Sequence, residues 1–296
     1  MNSLTIQAPA KVNLFLRVLN KRKSSSYHNI LTLFEKISLS DDIIIRKIPK
    51  GIEVQSDKFI TTSQKDNIAY RAAGLILNYK RIRSGVSIHI RKRIPIAAGL
   101  GGGSSDAASV LVGMNRLFGL KLKANALAGI AGRLGADVPF FILNAPFAIG
   151  TKRGDKLKSI ELAGPLWHII VYPGFKSSTK DIYEAYDAKD LTTKRGNVKI
   201  HPPSLKLRRM DFKTFQSMLH NDLEDTVIAK NAVVSEVLKR LASSLGRKAI
   251  VSGSGPSVFC LCRTRKEALE GRKRLFSSMP ASQTKGWQVF IARTTS

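Results

Sequence analysis

Four glycines fall within five positions in the segment Pro95-Ile-Ala-Ala-Gly-Leu-Gly-Gly-Gly-Ser-Ser-Asp106, directly ahead of a helical pattern. In a purely structural turn such a run costs chain entropy without return. Its use is to let the backbone approach a ligand and to point successive amides into one concavity. The N-terminus of the following helix adds unpaired donors and a positive dipole end, so the ensemble cradles an anion. Phosphate is the expected guest, and the chain must fold with this loop at a cleft. Two common phosphate loops are excluded by the letters. Gly99 is not followed by the Gly-Lys-Ser/Thr ending of a P-loop, and the dinucleotide fingerprint would need glycine at Ser104.

The remaining bulk properties bound the class. A chain of 296 residues exceeds one typical core, so two domains are expected, 1–155 and 156–296. With 43% hydrophobic and 24% charged residues the composition is that of a folded globular protein. The longest apolar run, around Val138 to Thr151, is interrupted by Pro139 and Pro146 and falls short of the roughly 20 residues a membrane span needs. Lys11 and Asn13 break Val12 to Leu16 before a signal-peptide core develops. A cytoplasmic protein with no membrane partner is expected. The formal charge of +28 raises the question of a polyanionic partner, but its clusters, such as Lys21-Arg22-Lys23, Arg91-Lys92-Arg93 and Arg272-Lys273-Arg274, are spread along the whole chain. No recognition motif accompanies them, so no dedicated nucleic-acid partner is expected. Cys260 and Cys262 alternate on one face of a strand and read as buried apolar residues rather than metal ligands.

Periodicity places the motifs. Strand alternation marks Val12 to Val18, Ile43 to Ile45 and Val86 to Ile90. Helices are predicted over Asn67 to Lys80 with Asn67 as N-cap, from Ser104 toward Leu117, and from Lys123 to Leu134 closed by Gly135. The charged, glycine-containing stretch Gly150 to Pro165 reads as the crossing between domains, and Asp187 to Arg209 as a surface excursion. Beyond it lie a strand at Trp167 to Tyr172, a helix ending at Gly246, and a strand, glycine turn and strand over Lys248 to Cys262.

Three further segments carry chemistry. In Pro9-Ala-Lys-Val-Asn-Leu-Phe-Leu-Arg17 a strand would turn Val12, Leu14 and Leu16 to the core and Lys11, Asn13 and Phe15 to the other face, pointing a cation and an amide together. In Gly135-Ala-Asp-Val-Pro-Phe-Phe141, Pro139 suits the first turn of a short helix and biases Val138 toward an extended backbone, leaving Asp137 just ahead of the helix. Val251-Ser-Gly-Ser-Gly-Pro-Ser257 is a Gly-x-Gly turn able to admit a phosphate or another backbone. Taken singly, Lys11 reads as an edge-strand charge and Asp137 as a cap.

Together and in this order, these segments resemble the three motifs of the GHMP kinase superfamily, across residues 9 to 257. Tyr27-His28 and Gly135-Ala-Asp-Val-Pro-Phe-Phe141 make the chain most similar to the branch whose acceptor is a cytidine diphosphate sugar alcohol, in the non-mevalonate isoprenoid route. The resemblance implies an α+β fold, with an N-terminal ribosomal-protein-like β/α domain that binds ATP and a C-terminal ferredoxin-like α/β sandwich. It implies Lys11 and Asp137 as the catalytic pair. Pro95, Ile96, Ala97, Ala98, Gly99, Leu100, Gly101, Gly102, Gly103, Ser104 and Ser105 would hold ATP, with Asn67 near the nucleotide and Ser104 touching Mg²⁺. Asn13 would orient the acceptor hydroxyl. Tyr27, His28, Thr179 and Tyr183 would take the cytidine diphosphate end, bordered by Gly253 and Gly255. The acceptor is thus a small molecule, and the protein a monomer or homodimer. Departures from the pattern are Ser26 where glycine usually precedes Tyr-His, Ala97 and Ala98 at the loop entrance, Tyr183 for phenylalanine, and one extra residue between Gly150 and Asp155. A catalytically silent relative would lack Lys11 or Asp137, and both are present.

Overall fold

In the computed structural model, residues 2–21, 27–161, 164–190, 211–277, 284 and 286–295 are described. The chain opens with β1 (Ser3–Lys21), β2 (His28–Ile48), β3 (Ile52–Ser56), α1 (Ile68–Tyr79) and β4 (Gly85–Arg91). It continues through α2 (Gly102–Leu117), α3 (Ala124–Ala131), α4 (Val138–Ile142) and the hairpin β5 (Phe147–Thr151) and β6 (Lys156–Ile160). The second half holds β7 (Trp167–Tyr172), α5 (Thr179–Asp190), α6 (Phe212–Met218), β8 (His220–Asn221), α7 (Glu224–Lys230) and α8 (Ala232–Leu245). It closes with β9 (Ala249–Val251), β10 (Val258–Cys262), α9 (Arg265–Ser277) and β11 (Gln288–Arg293).

Two sheets result. The first runs β3-β4-β2-β1-β8, with β5 on the other half of β2 and β6 beside β5. The long β2 makes this possible, because Thr32–Glu35 pairs with β5 while Asp42–Ile48 pairs with β4. The second runs β11-β7-β10-β9. With helices α8 and α9 as crossovers, its order of fourth, first, third and second strand is the ferredoxin-like arrangement expected of the C-terminal half. β6 hydrogen-bonds to β5, so the chain leaves the first sheet only after Ile160.

Three apolar layers follow. Ile43, Ile45 and Ile88 meet Ala72, Ile76, Val110, Leu111 and Ile130 from α1, α2 and α3. Val12, Leu14, Leu33 and Ile37 of the first sheet pack on Ile170, Ile250, Phe259 and Leu261 of the second. Behind that sheet, Val171 and Val258 pack with Val234, Val237 and Leu241 of α8, and Cys260 and Cys262 are buried there as free thiols. Both cysteines therefore serve as apolar filling, as the alternation predicted.

Several local readings need correction. The register of β1 slips between Asn13 and Phe15, so two residues face one on β2. That bulge reverses the later residues. Phe15 packs with Val12 and Leu14, and Leu16 joins Lys11 and Asn13 on the wall of the cavity described below. Helix α2 begins at Gly102 rather than Ser104, because Gly101 at φ 69° already caps it. α3 stops at Ala131, before the predicted Gly135 end, with Gly132 as its C-cap in the right-handed region. Val138 starts α4 instead of standing extended before Pro139. Asn67 does cap α1, accepting from the Ala69 amide, and Gly246 at φ 62° does close α8. Ser26, the Lys21-Arg22-Lys23 cluster beyond its first residue, and most of the expected 187–209 excursion lie outside the described residues.

One polar chain crosses the apolar layer between the sheets. Glu35 of β2 accepts from Thr294 at 2.6 Å and pairs with His168 of β7 at 3.0 Å, all of them buried. Replacing one member leaves an uncompensated buried group, whereas replacing both by apolar residues does not. His168→Leu should therefore destabilise the protein by about 1–3 kcal/mol, read as a lower urea midpoint, and adding Glu35→Leu should recover part of that loss.

Candidate active site

The glycine loop is clamped from both sides. Lys11 of β1 donates its amide to Leu100 O at 2.9 Å and its ammonium to Gly99 O at 2.9 Å and Asn13 Oδ1 at 2.6 Å. From the second sheet's glycine turn, Ser252 Oγ donates to Gly99 O at 3.0 Å and the Ser257 amide to Ala98 O at 3.2 Å. A Cβ on Gly99 would stand 2.3 Å from Ser252 O, and one on Gly101 2.9 Å from Lys11 Cγ. Glycine at these positions is thus a matter of clearance as well as of positive φ. Ala97 takes a left-handed φ of 53° at the loop's entrance, the place where a departure from glycine was noted. Gly101 offers α2 no capping side chain, which leaves the first-turn amides to a ligand.

Beneath the loop lies a buried charge cluster. Lys92 donates to Asp106 Oδ2 at 2.8 Å and to Asp41 Oδ2 at 2.5 Å, while Asp41 Oδ1 accepts the amides of Arg93 and Ile94 at 2.6 and 2.8 Å. Burial works to lower the pKa of Lys92, but the two carboxylates overturn it and hold the ammonium charged. Burial raises the Asp106 carboxyl above the ordinary range against the pull of Lys92. A Cβ on Gly102 would approach Lys92 Nζ to 3.3 Å, so the cluster supports the first turn of α2 directly.

A cavity of about 900 Å³ opens in front of the loop. It is lined by Asn67, Pro95, Ile96, Ala97, Ala98, Gly99, Gly101, Gly102, Gly103 and Ser104, and also by Tyr27, His28, Thr179 and Tyr183. Lys11, Asn13, Asp137 and Gly253 also reach it. Leu100, Ser105 and Gly255 do not line it. Leu100 is buried in the layer between the sheets, Ser105 is fully buried with its hydroxyl unpartnered, and Gly255 packs its backbone against Gly99. Their glycine-rich neighbourhood drew attention to them, but each stands one layer behind the wall.

Lys11 and Asp137 share this cavity. Burial lowers the pKa of Lys11, opposed by the charge of Asp137. Asp137 is the N-cap of α4, yet its side chain makes no capping hydrogen bond, which frees the carboxylate from the helix. Asn13 is oriented twice, accepting from Lys11 and donating Nδ2 to Thr32 Oγ1 at 2.8 Å.

Also on the cavity wall, His28 pairs with Asp187 at 2.6 Å and stacks on Tyr183 with ring centroids 5.3 Å apart. Burial, then the charge of Asp137, pushes the Tyr183 phenol well above its usual range and keeps it neutral. Thr179 Oγ1 hydrogen-bonds Ser254 Oγ at 2.8 Å, tying α5 to the glycine turn. Sequence reasoning missed Ile60, Lys92, Asp106, Arg153 and Asp187, which also line the cavity. Asp106 lay inside the glycine-loop segment, Lys92 in the Arg91-Lys92-Arg93 cluster and Arg153 in the charged stretch after Gly150, but none of those signals pointed to the cavity.

The GHMP kinases N terminal domain model matches residues 67–145 and the GHMP kinases C terminal model residues 205–281. A 4-diphosphocytidyl-2-C-methyl-D-erythritol kinase of Syntrophus aciditrophicus is 38% identical over 98% of this chain and 99% of its own length. That of Geobacter metallireducens is 39% identical, over 90% of this chain and 92% of its own. A crystal structure of 4-(cytidine 5'-diphospho)-2C-methyl-D-erythritol kinase superposes with a TM-score of 0.75 at 30% identity, covering 99% of this chain and 100% of that one. A crystal structure of L. major mevalonate kinase in complex with R-mevalonate shares the fold alone, at 14% identity, TM-score 0.73 and coverages of 99% and 97%. With full-length relatives at this identity and the glycine loop, Lys11 and Asp137 gathered on one cavity, the chain belongs to the 4-diphosphocytidyl-2-C-methyl-D-erythritol kinase family of GHMP kinases.

Proposed function

We propose that this protein transfers the γ-phosphoryl of ATP to the 2-hydroxyl of 4-diphosphocytidyl-2-C-methyl-D-erythritol, in the non-mevalonate route to isoprenoid precursors. The observation that carries the reading is the convergence of Lys11, distant in sequence, with Asp137 on a cavity lined by both the glycine loop and aromatic side chains. Phosphoryl transfer asks mainly for alignment and charge stabilisation, since its transition state is loose. The loop and first-turn amides of α2 hold the triphosphate, and Asp137 accepts the proton of the acceptor hydroxyl. Lys11, held by Asn13 and Gly99, places a fixed cation between the two substrates.

Magnesium fits this donor set as an ion carried by the nucleotide. Among the described residues no group of three or more His, Cys, Asp or Glu could cage a metal, and the Ser104 hydroxyl lies on the loop-end wall. When bound, the ion neutralises phosphate charge, with Ser104 as its protein contact. We propose a monomer or a homodimer as the active species. No helix among the described residues is long and apolar enough to cross a membrane, in keeping with the cytoplasmic placement we propose.

Gly103 gives the cleanest test of the phosphate site, because an added Cβ there meets only Ile68 Cγ2, at 3.7 Å. Gly103→Val should keep the melting temperature within a few degrees and abolish ATP binding in calorimetry. Unchanged ATP affinity would remove the loop from the nucleotide site. Asp137→Asn keeps shape and removes the proton acceptor, so kcat should fall about 10²-fold or more with ATP affinity retained. A variant that kept most of its kcat would reduce Asp137 to a positioning role. Tyr27→Ala should raise KM for the cytidine acceptor by about tenfold and leave KM for ATP unchanged; equal changes in both would take Tyr27 out of the acceptor site.

A further inference from the structure

Four cationic side chains line the cavity, Lys11, Lys92, Arg153 and Lys180, and three are already accounted for. Lys11 donates to Asn13 Oδ1 and Gly99 O, and Lys92 to Asp41 and Asp106. Lys180 is largely exposed and stands 3.8 Å from Glu184. Arg153 differs in being both held and incompletely used. Its guanidinium lies 5.3 Å over the Tyr27 ring, and Nε and Nη2 both donate to Asp155 Oδ2, at 3.1 and 2.7 Å. Among the described residues Nη1 has no hydrogen bond. The turn that carries Arg153, between β5 and β6, is the one with an extra residue relative to the family pattern.

From this placement we propose that Arg153 is a specificity-determining residue that binds the diphosphate of the acceptor, while its stacked partner Tyr27 takes the base. The inference rests on the cytidine diphosphate reading of the acceptor end. A guanidinium is permanently charged, presents a planar fork that matches phosphate oxygens, and here is pre-oriented by the Tyr27 ring and the Asp155 carboxylate. A diphosphate set beside that end brings negative charge with no glycine loop to receive it, because the loop is taken by ATP. Asp155 thereby acts through Arg153, as its orienting partner.

Cytidine and CDP separate this role from a structural one. In calorimetry the wild-type protein should bind CDP at least tenfold more tightly than cytidine, the size expected for a charge-assisted contact. Arg153→Met should erase that preference while changing cytidine affinity by less than about twofold, and Arg153→Lys, which keeps the charge without the fork, should fall between. In turnover, Arg153→Met should raise KM for the acceptor and leave KM for ATP alone. A CDP preference that survives Arg153→Met, or that disappears instead in Lys180→Met, overturns the proposal. Equal loss of cytidine and CDP affinity also overturns it, since Arg153 would then serve only to hold Tyr27. A wild type that binds cytidine and CDP equally well sinks the proposal but spares the cytidine reading, whereas one that binds neither removes both.

Discussion

The backbone of Gly99 is pressed so closely against the turn from Ser252 to Gly255 that a single Cβ would overlap a carbonyl oxygen at 2.3 Å. On the opposite side of that contact Gly253 has the same limit, since its Cβ would lie 3.1 Å from Asn13 Oδ1 and 3.2 Å from Lys11 Nζ. The glycine loop and the turn of the second sheet therefore meet backbone to backbone, and the side chains of Lys11 and Asn13 from the first strand close against the same turn. The ammonium of Lys11 sits at this junction and bonds to two of the three segments. Its position is set by the packing of the two halves of the chain, so whatever loosens that packing displaces the cation as well.

Buried cations elsewhere in the first sheet show how differently the same side chain can be handled. Lys92 has two carboxylates and stays charged. Lys36 donates to the Leu143 carbonyl at the end of α4 and lies 5.2 Å over the Phe140 ring, and burial lowers its pKa to about 8. Lys11 has neutral oxygen partners and the charge of Asp137 at longer reach. The first supports the glycine loop, the second ties down the far end of the helix that Asp137 caps, and the third faces the cavity. All three sit close to the site, whereas the remainder of the +28 formal charge is spread along the chain.

Legibility in the sequence followed the range of the interaction. Gly246, Asn67 and the two strands around the 253–255 turn were readable because caps, turns and alternation are local. The helix start at Gly102 was not, because its N-cap is a glycine at positive φ whose space is limited by Lys11, a residue far away in the sequence. Nor was the bulge at Leu14, which is a fact about pairing with β2. At the site, the loop and the Pro9–Asn13 strand were visible as motifs, and the roles of Tyr27, His28, Thr179 and Tyr183 came from the resemblance alone. What no pattern contained were the pairings His28 with Asp187 and Arg153 with Tyr27, each joining residues from separate elements.

The lowered pKa of Lys11 looks at first like a handicap for a residue whose use is its charge. In a water-filled site it would be one. Here the cost of burying the ammonium is borne by the fold before substrate arrives, and two neutral acceptors keep the group aimed. Entry of a polyphosphate beside it adds several negative charges in a poorly screened environment, which favours the protonated form. In the reaction proposed above, a polyphosphate beside Lys11 would oppose the effect of burial on its pKa, in the same direction as the charge of Asp137. The Asp137 side chain makes no capping bond to its own helix, which suits the proton-accepting role proposed for it. What the fold supplies is a desolvated lysine already aimed by two neutral oxygens at the cavity that Asp137 shares.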